Sequence, residues 1–148
     1  MGRSLSSAGF VFPFVTLQAS PSNPAATSSV PGVMMETGST LAITPGFSGR
    51  LHICLQGQGG VSIATASFTV TLRYGTGTAP TNGAALTGTI LGGTLAAWSA
   101  VANAVVPFTL TGIATGLTVG TAYWIDFSLA VSSGTGTANS ISCNVMEF

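Results

Sequence analysis

Over residues 66–74 the chain alternates without a break: Phe68, Val70, Leu72 and Tyr74 are separated by Thr69, Thr71 and Arg73, with Ser67 ahead of them. A period of two places the apolar set on one face of a strand and the polar set on the other. Residues 123–131 repeat this more strongly, with Tyr123, Ile125, Phe127, Leu129 and Val131 sharing a face. Residues 50–56 form a third such segment, turning Leu51, Ile53 and Leu55 inward and Arg50, His52, Cys54 and Gln56 outward. Ile141, Cys143 and Val145 predict a last strand, and residues 40–44 a short one ending at Pro45 and Gly46. Gly, Pro and Asn punctuate the stretches between, and no clear helical period appears; residues 91–106 are the ambiguous run. Short strands at this spacing, without helices, predict an all-β fold, a β-sandwich or jelly roll spanning residues 33–148. Leu117, Gly120 and Tyr123 have the spacing of a tyrosine corner, in which a Tyr hydroxyl bonds nearby backbone where the chain crosses between sheets.

The first 32 residues follow a different pattern. Residues 1–20 have a signal-peptide outline, with Arg3, an apolar run and small residues at a cleavage-like point. Pro13 breaks that run, and Val11, Phe12, Phe14 and Val15 favour strand over helix. Met1 is expected to be kept, so that neither a cleaved signal nor an N-myristoylated Gly2 is expected. Pro21, Pro24 and Pro31 then enforce an extended path. Residues 1–32 are therefore expected to be an extended N-terminal arm and connector lying on a neighbour or on the domain itself. Phe10, Val11, Phe12, Phe14 and Val15 are its expected assembly contacts.

Charge changes the picture most. Only 4% of the 148 residues are Asp, Glu, Lys or Arg, where an ordinary soluble domain has about 25%. The inventory is Arg3, Arg50, Arg73, Glu36, Asp126 and Glu147, with His52 the single histidine and a net charge of zero. Mutual repulsion cannot keep such molecules apart, so the surface is best explained if neighbouring subunits cover much of it. A secreted domain kept soluble by Thr, Ser and Gly is the alternative. Three arginines cannot line a phosphate-neutralising groove, which excludes nucleic acid as a partner. No apolar run reaches the ~18 residues of a membrane-spanning helix, and no membrane partner is expected.

Candidate chemistry is sparse. His52 and Asp126 could be drawn into a Ser-His-Asp set, but no nucleophile-elbow motif accompanies them. Cys54 and Cys143 fall on opposite faces of their strands, which argues against a disulfide. His52 and two cysteines lack metal-ligand spacing. No catalytic residue, metal or cofactor is expected, and the chain reads as non-enzymatic. The glycines at 75, 77 and 83 mark a loop, since no helix pattern follows to make a phosphate cradle. Trp124, on the opposite strand face from Tyr123 and Ile125, is a further candidate for an interface.

Residues 69–89, TVTLRYGTGTAPTNGAALTGT, and residues 116–131, GLTVGTAYWIDFSLAV, resemble the small all-β structural proteins of tailed bacteriophages. Within that class the chain is similar to capsid decoration (cement) proteins. The resemblance implies a virion protein on the capsid surface, commonly trimeric, partnered by the major capsid protein and by copies of itself. A fibre, spike or adhesin module reading host glycans through loops 75–89 and 132–139 is the other reading. A secreted hydrolase-like domain built on His52 and Asp126 is a third. No functional residue transfers from the resemblance, because such proteins act through surfaces.

Overall fold

The computed structural model describes residues 15–148. Within them the alternation is realised as β1 (Thr16–Ala19), β2 (Val33–Met34), β3 (Ala42–Ile43), β4 (Leu51–Val61), β5 (Ser67–Thr76), β6 (Thr89–Trp98), β7 (Val105–Ala114), β8 (Tyr123–Val131) and β9 (Gly136–Glu147). Sheet A has the order β1-β9-β4-β7, and sheet B the order β2-β8-β5-β6, with β3 also pairing β8. All pairings are antiparallel. The fold is the predicted all-β, jelly-roll-like sandwich.

The apolar sets read from the alternation meet between the sheets. Phe68, Val70 and Leu72 from sheet B face Leu51, Ile53 and Leu55 from sheet A, all buried. Phe108 joins the layers at the centre, its ring 6.4 Å from Phe68 and 5.9 Å from Phe127. Burying large apolar side chains on both inner faces is the main driving force for this architecture.

Strand β4 runs five residues past the predicted end at Gln56, through Gly57, Gly59 and Gly60. Glycine weakens a strand on its own, but here the rings need the room. A side chain at Gly57 would meet Ile141 at 2.5 Å and Phe108 at 2.9 Å, and one at Gly59 would meet the Phe68 ring at 2.6 Å. The ambiguous run becomes most of β6, a turn and the start of β7. The tyrosine corner forms as the spacing predicts: the Thr118 N–H donates to the Tyr123 hydroxyl at 2.9 Å.

From residue 15 onward the connector lies along the sandwich. β1 pairs with the end of β9, Asn23 Oδ1 accepts from the Ser140 N–H, and Thr27 bridges Gly136. The chain then passes to sheet B, where the Ser29 carbonyl accepts from the Val131 N–H and β2 pairs β8. One side of the sandwich is thus closed by residues 15–34. Val15, an expected assembly contact, packs against this chain's own core, and its carbonyl accepts from the Glu147 N–H. Phe10, Val11, Phe12 and Phe14 lie outside the described residues.

Candidate functional site: an uncharged sheet face

Two of the three carboxylates are fully buried and hold loops. On β8 the side chain of Asp126 points away from the core, where the chain between β2 and β3 folds over it. Asp126 accepts from the Glu36 N–H (3.1 Å), the Thr37 N–H (3.1 Å), the Thr37 hydroxyl (2.7 Å) and the Phe127 N–H (2.8 Å). Burial pushes its carboxyl up to about 6, against the opposing pull of these donors. Glu147 accepts from four successive N–H groups, those of Gly46, Phe47, Ser48 and Gly49, at 2.6 to 3.2 Å. Burial alone would raise its carboxyl, but the four backbone donors outweigh that and bring it down to about 2. Glu36 is tied through its own carboxylate to the Asn82 N–H at 3.3 Å.

The catalytic set that could be drawn from His52 and Asp126 is not assembled. His52 lies on the outer face of sheet A, bonded to the Thr111 hydroxyl at 3.2 Å, and Asp126 lies beyond the core under the cover of sheet B. Among the described residues no group of three His, Cys, Asp or Glu comes together to hold a metal. Cys54 and Cys143 are free thiols; Cys54 registers with Asn144 and Leu55 with Cys143, so they point to opposite faces. Burial, with the nearby Cys54 second, pushes the Cys143 thiol up to about 12.

Trp124 corrects an expectation. Its indole is only 5% exposed and is covered by its own chain. Nε1 donates to the Thr76 carbonyl at 3.1 Å, and any side chain at Gly75 or Gly88 would collide with the ring. The face of β8 that alternation marks as outward is roofed by residues 29–41 and the 77–88 loop, so Trp124 is not available to a neighbour. The exposed indole is Trp98, at 65%. Loops 75–89 and 132–139 leave opposite ends of the β5–β8 pair, about 30 Å apart at strand rise. They do not converge on one glycan site.

Among the described residues, the outer face of sheet A is left uncovered. Its side chains form rows across the strands: Thr16, Met146, His52 and Ile113; then Gln18, Asn144, Cys54 and Thr111; then Ser142, Gln56 and Thr109. Gln56 Nε2 donates to the Ser142 hydroxyl at 3.0 Å. None of these residues is Asp, Glu, Lys or Arg. A shallow depression of about 350 Å³ crosses β1, β9 and β4 there, between Thr16, Gln18, His52, Cys54, Asn144 and Met146. Sequence alternation placed His52, Cys54 and Gln56 outward. It did not show that β1 and β9 would extend this face.

Similar folds occur in viral particles. A chain in the structure of the infectious bursal disease virus Gx strain matches with a TM-score of 0.53 at 12% identity, over 90% of this chain and 33% of that one. A mutant VP2 protein of the same virus, in derived T=1 particles, matches with a TM-score of 0.51 at 10% identity, over 90% of this chain and 32% of that one. This chain spans about a third of their length, and the likeness is one of fold. No family model matches the chain, and no curated protein matches it.

Proposed function

We propose that the chain is a non-enzymatic structural protein of a virus particle, a capsid decoration or cement protein at the capsid surface. Its partners on this reading are the major capsid protein and copies of itself, in a trimer. The observation that carries the reading is the outer face of sheet A, whose three rows named above hold no Asp, Glu, Lys or Arg among the described residues, Arg50 standing at the edge where β4 begins. Such faces can repeat across a lattice without like charge accumulating between closely spaced copies. The fold likeness to viral particle proteins supports the reading, and the bacteriophage setting follows from the resemblance of residues 69–89 and 116–131. Phe10, Val11, Phe12 and Phe14 lie ahead of the point where Val15 joins the end of β9, and they are assigned the grip on a shell or a sister subunit.

Cosedimentation with shells that lack the protein tests this. The full chain is expected to bind. Gln56→Lys, a charge at the middle of the face, should weaken binding by roughly tenfold or more while the thermal midpoint stays put. Removing residues 1–14 should also weaken it. A full chain that leaves shells untouched ends the reading, and a shortened chain that binds undiminished takes the arm out of it.

A further inference from the structure

The described ionic side chains are unevenly placed along the strands. Arg50 and Glu147 stand where β4 begins and β9 ends, and Glu36, Arg73 and Asp126 belong to the half of sheet B nearer the 77–88 loop. At the opposite end, the connections at residues 62–66, 99–104 and 132–135 contain no Asp, Glu, Lys, Arg or His.

That end is apolar at one corner. Trp98 closes β6, Val105 opens β7 and Val101 lies in the turn joining them, exposed at 65%, 53% and 65% respectively. Their neighbours Ala100, Ala102 and Ala104 are small, so the three larger side chains stand clear. The corner is also held in place. The Thr65 N–H donates to the Ser99 carbonyl (2.9 Å), the Asn103 N–H to the Val61 carbonyl (2.8 Å) and the Val101 N–H to the Ser99 hydroxyl (3.2 Å). Asn103 takes the left-handed conformation that closes the turn, at φ 60°. A fixed patch with a central Trp has the make-up of a binding hot spot and pays little ordering entropy on association.

We propose that this corner is the surface through which copies of the chain associate, Trp98, Val101 and Val105 of one copy packing against the same corner of the next. Charge matching selects that occupant. About a quarter of the residues of an ordinary soluble domain are charged, and most of these lie on its surface; closing such a surface over an uncharged apolar corner would strip water from charges without pairing them. The identical corner of a second copy brings no charge.

The inference deepens the structural-protein reading and takes its biological setting from it. Sedimentation of the purified full chain over a range of concentrations is the test. The wild type should associate as concentration rises. Trp98→Ser combined with Val101→Ser should stay at single-copy mass with an unchanged thermal midpoint, whereas Val119→Ser, at the far end, should behave as wild type. Val105→Lys should weaken association by roughly tenfold or more, with partial recovery in high salt as the repulsion is screened, and it decides the matter if the double variant does not fold. A double variant that associates like wild type, or a wild type that stays single-copy at millimolar concentration, overturns the proposal. A protein that binds shells yet stays single-copy discards the corner and keeps the virion reading; one that associates through the corner and binds no shell does the reverse.

Discussion

Thr37 is tied to Asp126 twice, its N–H at 3.1 Å and its hydroxyl at 2.7 Å, both donating to Oδ1. These two hydrogen bonds pin the excursion between β2 and β3 over the outer face of β8. Pairing to β8 resumes on both sides of the excursion, through the Met35 N–H to the Phe127 carbonyl and the Ile125 N–H to the Leu41 carbonyl. Asp126 takes four donors, and its cross-strand neighbour Arg73 bonds instead to Ser128, Thr87 and Gly88, so burial of the carboxylate makes the cover sensitive to pH.

Asp126 titrates near 6 in the folded chain, above its ordinary 3.8, because burial disfavours its charge. The folded state therefore holds the proton that the unfolded state has released. Stability from this group is complete below about pH 4 and declines as pH rises through 6, by about 3 kcal/mol in all. Urea unfolding between pH 4 and 7 should show that slope, and Asp126→Asn should flatten it.

Glu147 works in the opposite sense. Its folded value of about 2 lies below the ordinary 4.5, so its contribution is full above about pH 4.5 and is lost as pH falls through 2. With Asp126, this predicts greatest stability between about pH 4 and 5. Glu147→Gln should erase the acid limb and speed amide exchange at residues 46–49, leaving the Asp126 limb in place. An acid limb of unchanged steepness in that variant would show that Glu147 is not its source.

Gly57→Ala and Gly59→Ala should each destabilise the chain by about 1–3 kcal/mol, the range for overpacking a filled core. The new methyl at 57 meets Ile141 and Phe108, and the one at 59 meets the Phe68 ring. Pairing Gly59→Ala with Phe68→Leu should recover part of the loss in a double-mutant cycle, since the smaller side chain vacates the contested space.

The two thiols should separate cleanly by reactivity. Cys54 is half-buried on the outer face of sheet A, whereas Cys143 is buried and its thiol pushed up to about 12. A thiol reagent at pH 8 should modify one cysteine per native chain and both after denaturation, with mass spectrometry placing the native label on Cys54.

The sequence by itself determined the fold class and much of the core. A period of two is a local property, so Phe68, Val70, Leu72, Ile125, Phe127 and Leu129 could be put on inner faces before any strand was paired. The tyrosine corner and the opposed faces of Cys54 and Cys143 followed from spacing and parity in the same way. The scarcity of charge, which underlies the reading of the protein as a surface that meets other surfaces, is likewise plain in composition.

Only the tertiary structure decided which outward faces are exposed. Alternation assigns Trp124 and Asp126 outward, and so they point, but residues 29–41 and 77–88, distant in sequence, roof them over. The same parity gives no reason to prefer Trp98, which stays exposed among the described residues. Val15 was placed with the arm for its apolar character, yet that character is satisfied by its own core once β1 pairs β9. Strand β4 outlasts its predicted end because rings from Phe68 and Phe108, on other strands, occupy the space above its glycines. In each case the deciding contact is long-range, and no local pattern encodes what will arrive from elsewhere in the chain.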